Sequence, residues 1–318
     1  MEKLEANLNK VAVIVLNWNG WQDTIACLDS IYKINYPNYQ VIVVDNGSTD
    51  GSVEKIRNWA EKNALSQLKI IELKKNLGYG AGNNFGLRYA LENGFAYAWL
   101  LNNDIIVDRE ALIELVKRIQ EKPSAGICGS TILHYDQPNK TCSIGGTYDK
   151  WIAQGGGVEQ DKLFDIKRIE RYQKMERKIK YIQGASVLVS RKFLMDVGLI
   201  SEEYFLFFEE IDWITRAKGR YSLAYAPKSI VYHKGSASIK RKEKDEGHSG
   251  HYFSYLGDLY TTRNRLLFTT KYYPYALPFV YLSILGYILD RIRVGAWANV
   301  GIMSKETKDH FFSLFKRR

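Results

Sequence analysis

The feature that most constrains this chain is a repeated pairing of a short apolar run with a polar cluster. Val11-Ala12-Val13-Ile14-Val15-Leu16 is apolar throughout and rich in β-branched residues, as suits a parallel strand buried on both faces. Residues 41–44, 68–73 and 97–101 repeat the pattern, and helical stretches at 22–32, 52–62, 81–93 and 110–120 lie between. Four strand–helix units predict a parallel α/β sheet. Ligands of such sheets bind at the carboxyl ends of the strands, so the residues after each run carry the functional information.

After the first run comes Asn17-Trp18-Asn19-Gly20-Trp21. It lacks the three-glycine fingerprint of a dinucleotide site, which disfavours a dehydrogenase. After the second comes Asp45-Asn46-Gly47-Ser48-Thr49-Asp50-Gly51-Ser52. Asp50 or Ser52 is expected to cap the next helix. Asp45 either closes a polar turn or holds a ribose hydroxyl or a base N–H. After the third, residues 76–86 place four glycines at a helix start. They allow close backbone approach, to a ligand or to a neighbouring helix, and helix N-termini suit phosphates. After the fourth comes Asn102-Asn103-Asp104. In an extended segment Asn102 and Asp104 share a side, and two hard oxygen donors suit Mg²⁺ or Mn²⁺; an Asx turn is the other reading.

In the second half, the aromatic run 204–208 precedes Glu209-Glu210-Ile211-Asp212. A carboxylate beside aromatics and other acids has a raised pKa, which suits a general base. Asp212 and Arg216 are i,i+4 neighbours and are expected to pair. His233 follows a short strand, 229–232, next to Lys234; it is a metal or diphosphate contact or a structural histidine. Residues 239–250 mix dense charge with glycine, as a linker or a lid does.

In this order and spacing, VIVLNWNG, VVDNGSTDGS, NLGYGAGNNFG and LLNNDIIV resemble the family 2 glycosyltransferases of the GT-A fold, the rhamnosyltransferase-like branch most of all. Gly184-Ala185, residues 205–212 with Arg216, Tyr225-Ala226-Pro227 and His233 extend the resemblance, which covers residues 10–238. It implies a Rossmann-like α/β domain over 1–238, its mixed central sheet covered by helices on both faces, with a nucleotide half at 10–107 and an acceptor half at 108–238. A basic loop and helical extension follow at 239–318. It also implies sugar transfer, with inversion, from a nucleoside diphosphate donor to a glycan or polyprenyl-diphosphate-linked hydroxyl. dTDP-L-rhamnose is favoured and UDP-sugars stay open.

Carried over residue by residue, Asp45 matches the carboxylate that holds the base, and Asn17, Asn76 and Asn83 fall in nucleotide-lining segments. Asn19, Asn46, Gly78, Asn102, Asn103 and Gly184 join them. An Arg-Asn pair near the diphosphate in the family adds Arg263 and Arg265. Asp104 matches the last acid of the metal triad. Asn102 stands where the first is usually Asp, so one carboxylate fewer faces the metal and His233 becomes a further ligand. Glu210 matches the catalytic base, where Asp is commoner, with Glu209, Asp212 and Arg216 in support. These two departures keep a rival open, a catalytically inactive nucleotide-sugar-binding protein.

Lys and Arg number 45 against 35 for Asp and Glu, a net charge of +10, which calls for an anionic partner. No nucleic-acid motif is present, so a phosphorylated donor and acceptor are expected. The basic run 162–180 reads as a solvated helical face. Three unpaired cysteines and a polar start predict a cytoplasmic protein, free or at the inner face of the plasma membrane. Residues 272–289 are apolar but carry Pro274 and Pro278. Counted from Phe279 the stretch is expected to be too short to span a bilayer. Aromatics interleaved with Lys and Arg after it suit an interfacial helix, a packed helical pair or a homodimer contact.

Overall fold

The computed structural model describes residues 9–65, 67–235 and 254–316. The four apolar runs form β1 (Val11–Asn17), β2 (Tyr39–Asp45), β3 (Lys69–Glu72) and β4 (Tyr97–Asn102). They pair in parallel in the order β3-β2-β1-β4. The crossovers are α1 (Trp21–Ile31), α2 (Ser52–Lys62) and α3 (Tyr79–Glu92). β1 is buried along almost its whole length. Alternate residues of each strand enter two separate cores, one on each face, with Val13 and Val43 in one and Ile14 and Ile42 in the other. That is why the runs are apolar without alternation.

The chain then runs through β5 (Ile105–Val107), α4 (Ala111–Glu121), β6 (Ala125–His134), β7 (Thr141–Ser143), β8 (Gly146–Asp149), β9 (Gln154–Gly157), α5 (Ile169–Met175) and β10 (Ser186–Ser190). After these come α6 (Arg191–Val197), α7 (Glu209–Arg216) and β11 (Ser222–His233). β10 lies antiparallel between β4 and β6, β11 runs parallel to β6, and β5 closes the far edge antiparallel to β11. The sheet is therefore mixed and covered by helices on both faces, the architecture expected from the sequence.

Three expectations are corrected. The strand expected at 229–232 spans Ser222–His233, with its register broken between Ala226 and Ile230; Pro227 lies in the break and offers no N–H to the ladder. The basic run 162–180 is α-helical over only seven residues. Tyr172 and Ile179 are buried and Phe164 packs beside them, so one side of the run is pinned to the core.

The third correction concerns the C-terminal helices, α8 (Tyr255–Tyr272), α9 (Leu277–Arg293) and α10 (Trp297–Lys316). Pro274 and Pro278 occupy first-turn positions, where a missing N–H costs nothing. The apolar helical stretch therefore runs over Pro274–Arg293, long and apolar enough to cross a membrane by length and composition alone. Leu266 of α8, Val280 and Ile284 of α9 and Met303 of α10 share one small core. The stretch expected to act as a lid, 239–250, lies outside the described residues, as do Arg317 and Arg318. All three cysteines are free thiols.

Candidate functional site

The ends of β1, β2 and β4 and the start of α3 meet in a network of amides. Asn17 Nδ2 donates to Asp45 Oδ2 at 2.7 Å, and Ser48 N donates to Asp45 Oδ1 at 2.9 Å. Asn17 Oδ1 accepts from the Thr24 hydroxyl at 2.7 Å. Asn103 Nδ2 reaches Thr24 Oγ1 at 3.1 Å and the Gly20 carbonyl at 3.2 Å. Asn46 bridges the next loop, donating to Asn76 Oδ1 and Gly78 O and accepting from Leu77 N. Asn19, at φ +50°, accepts from Thr49 N and donates its own N–H to Ser48 Oγ. Buried polar groups need partners, and here they find one another.

This network backs a cleft of about 170 Å³ lined by Trp18, Asn46, Asn76, Gly78, Asn102 and Asn103, with Tyr79, Phe205 and Tyr260 on its other sides. The Phe205 and Tyr260 rings stack with centroids 4.8 Å apart. Of the residues expected to bind the nucleotide, Asn46, Asn76, Gly78, Asn102 and Asn103 line this cleft. Asp45 and Asn83 are buried outside its lining. Asp45 is engaged by Asn17 and Ser48, and Asn83 Oδ1 is buried without a hydrogen-bond partner. The aromatic walls escaped the sequence reading, although Trp18 stands inside the first strand-end motif.

Asn103 and Asp104 form a turn between β4 and β5, so the expectation that Asn102 and Asp104 share a side in an extended segment is corrected. The reason is topological: β5 leaves β4 to pair with β11. That pairing delivers His233, whose Nε2 lies 3.2 Å from Asp104 Oδ2. Burial alone would push the His233 imidazole down; its bonds to Asp104 and Cys142 outweigh burial and hold it up at about 9. Asp104 Oδ1 is buried without a hydrogen-bond partner, an orphaned acceptor of the kind a divalent cation satisfies. Among the described residues no group of three or more His, Cys, Asp or Glu is arranged to hold a metal. The orphaned Asp104 Oδ1 therefore fits a cation that fills most of its shell from phosphate oxygens and solvent, and His233 joins as a second ligand only by giving up its proton.

Glu210 sits in the first turn of α7, partly buried. Its Oε1 accepts from Gly184 N at 2.8 Å, and the Gly184 carbonyl accepts from the Tyr79 hydroxyl at 2.7 Å. A Cβ on residue 184 would come within 2.5 Å of Glu210 Oε1 and 2.8 Å of the Tyr79 hydroxyl, so any larger residue there would displace the Glu210 carboxylate. Leu100, Ile127, Val187, Ile200 and Trp213 surround the two glutamates. Burial raises the Glu210 carboxyl above the usual range, while the Gly184 N–H works to lower it. Glu209 is raised further, by burial and then by the neighbouring Glu210 charge, and its Oε1 has no hydrogen-bond partner.

Asp212 is fully buried and engaged, accepting from Arg216 Nε at 2.6 Å and from the hydroxyls of Tyr204 and Tyr272. Arg216 also donates to Val197 O and Leu199 O. Arg265, expected near a diphosphate, is buried with its guanidinium on the Ile152 carbonyl and Ser283. Arg263 donates to the Glu203 carbonyl and lies outside the cleft lining. A guanidinium fork matches clustered carbonyls as well as phosphate oxygens, and sequence alone does not separate the two.

Residues 12–198, more than half of the chain, match the family described as "Glycosyl transferase family 2". The low-salt glycan biosynthesis hexosyltransferase Agl10 of Haloferax volcanii is 23% identical over 214 residues, covering 66% of this chain and 62% of that protein. A poly-beta-1,6-N-acetyl-D-glucosamine synthase of Staphylococcus epidermidis is 23% identical over 212 residues, covering 66% of this chain and 46% of that protein. The chain thus spans about half to three-fifths of these relatives' length. Among solved structures, the mannosyltransferase PcManGT from Pyrobaculum calidifontis, in complex with GDP-Man and Mn²⁺, superposes with a TM-score of 0.58 at 16% identity, covering 96% of this chain and 87% of that one. GalNAc-T7 with UDP, GalNAc and Mn²⁺ gives 0.56 at 16% identity, over 71% and 44%. At these identities the likeness speaks for the fold.

Proposed function

The chain belongs to glycosyl transferase family 2, and from that premise we propose an inverting glycosyltransferase that moves a hexose from a nucleoside diphosphate sugar to a hydroxyl of a glycan or lipid-linked glycan. The observation that carries this reading is Glu210, a carboxylate with a raised pKa held by Gly184 N beside Tyr79, itself part of the amide-lined cleft. The nucleotide lies against the strand ends. The acceptor oxygen attacks the anomeric carbon, its proton passes to Glu210, and the bond to the diphosphate breaks with its electron pair on the leaving oxygen. A divalent ion, Mg²⁺ or Mn²⁺, which Asp104 and His233 would hold, supplies neutralising charge for the leaving group when bound. The sequence resemblance favours dTDP-L-rhamnose as donor.

The test is a melting screen of dTDP-L-rhamnose, UDP-glucose, UDP-N-acetylglucosamine and GDP-mannose, with and without Mn²⁺, alongside nucleoside diphosphate release. A true donor raises the melting temperature by mass action and is turned over. Glu210→Gln is expected to lower turnover by about 10²–10⁴-fold and to keep the donor-induced shift. Retained turnover removes Glu210 as base. Binding with no turnover by the wild type selects the inactive-binder alternative.

We further infer that α9 rests on the cytoplasmic leaflet of a membrane. Phe279, Leu282, Leu285, Leu289 and Ile292 form one exposed apolar face, while Val280, Ile284 and Arg291 are buried on the other. Arg291 is tied to Asp258 by two hydrogen bonds, which anchors that face to the protein. Beside the apolar face, Trp151 meets Tyr275 and Phe279 edge to face at 5.5 Å, with Lys150 Nζ 5.4 Å from the Trp151 ring centroid. Half-exposed aromatics next to a lysine suit an anionic headgroup layer. Co-sedimentation with equimolar phosphatidylcholine–phosphatidylglycerol vesicles is expected, and Leu282→Glu with Leu289→Glu should abolish it. A dimer in light scattering that the same pair dissociates, without vesicle binding, assigns the face to a second copy instead.

A further inference from the structure

The turn that leads into α7 is strained. Phe205, Phe207 and Phe208 have φ of +66°, +68° and +76°, the left-handed region that residues with a bulky side chain avoid. Such conformations persist only where the surroundings over-determine them. Phe208 is the N-cap of α7, so the direction of this turn sets where Glu209 and Glu210 point.

What over-determines the turn comes from the C-terminal helices. Asn264 of α8 is fully buried. Its Nδ2 donates to the carbonyls of Tyr204, Leu206 and Phe207 at 3.0, 2.7 and 3.1 Å. These carbonyls belong to the strained stretch, and an amino group is the only part of an asparagine side chain that donates. Arg263 adds a bond to Glu203 O at 3.1 Å, and Tyr260, one turn earlier on α8, stacks on Phe205. From the other side Tyr79 N donates to Phe205 O at 2.7 Å.

We infer that Asn264 is a positioning residue for Glu210: its carboxamide locks the left-handed turn at 205–208 and thereby fixes the start of α7 and the carboxylate that Gly184 receives. The inference rests on the reading of Glu210 as the base. Without Asn264 the turn relaxes toward ordinary backbone angles, and the first turn of α7 moves with it. The donor cleft keeps the asparagines of the strand ends.

The test uses the full chain and whichever of the four donors the wild type turns over. Asn264→Ala is expected to lower kcat by about 10- to 100-fold, the effect of a small misplacement of a reacting group, with donor KM rising by less, since Phe205 of the same turn also walls the donor cleft. Hydrogen exchange of the amides at 204–210 should quicken by about tenfold or more, with the β1–β4 amides unchanged. Adding Phe207→Gly, at an exposed position where glycine takes positive φ freely, should restore a large part of the turnover. Should Asn264→Ala not fold, Asn264→Ser carries the same measurements. Unchanged kcat, a loss seen only in KM, unchanged exchange at 204–210, or no rescue by glycine overturns the proposal. Full turnover by Glu210→Gln overturns the base reading and the positioning role together. Loss in Glu210→Gln with none in Asn264→Ala overturns the positioning role alone.

Discussion

The two sides of the cleft are held by opposite means. On the nucleotide side, Asn17, Thr24, Asp45, Ser48 and Asn103 satisfy one another across strands β1, β2 and β4. Their backbones come from regular strands and tight turns, and only Asn19 among the non-glycine residues there has positive φ. On the base side, three phenylalanines are forced into left-handed geometry and clamped by a residue more than fifty positions later. The first side is preorganised by its own short sequence motifs. The second is preorganised by packing from a distant element, and so it is the side that loosens first when a contact is lost.

Gly78 is where the two sides touch, and its substitution breaks the comparison most severely. It sits at φ +90°, and a Cβ there would lie 2.5 Å from Phe205 O and 2.7 Å from Phe205 Cα. Gly78→Ala therefore meets both backbone strain and a clash with main-chain atoms that are already strained. A loss of about 3 kcal/mol is expected, read as a fall of roughly 5–10 °C in melting temperature. Turnover should fall with it. If the variant melts and turns over like the wild type, the two sides are not mechanically joined at this residue.

The same contrast explains what could be read from the sequence. The strand ends were legible because each motif is local: an apolar run, then the amides that finish it. Five of the expected nucleotide contacts line the cleft for that reason. Glu210 was legible from the acids that follow an aromatic run and from its match to the family's base position, both local signals. The environment of that run was not, since nothing within 204–212 announces that Asn264 will donate to three of its carbonyls. Arg265 was misread for the mirror-image reason: its fork finds Ile152 O, in the turn between β8 and β9, and Ser283 of α9, partners distant in sequence that only the packing around α8 brings together. Asp104 needed β5 to leave β4 before His233 could meet it.

Glu209 and Glu210 sharpen the comparison within the base side, at the smallest expected effect. Both carboxyls are raised by burial, but only Glu210 has a donor from a segment distant in sequence, Gly184 N in the turn before β10. Glu209 Oε1 is buried without a hydrogen-bond partner. A carboxyl whose folded pKa lies above its unfolded value contributes its full stability below the unfolded value. It loses that stability as pH rises toward the folded value, because the unfolded chain releases the proton first. Glu209→Gln keeps the shape of the neutral acid and cannot ionise in either state. The variant should therefore match the wild type only below about pH 4.5, the ordinary value for this carboxyl, and gain on it as pH rises above that, by about 1 kcal/mol or more at pH 8, measured as the difference in melting temperature from pH 4 to pH 8. Its turnover should stay within a few-fold of wild type, whereas Glu210→Gln loses activity. A gap that does not widen with pH would mean that Glu209 ionises in the folded protein, and the pair would then share the base role.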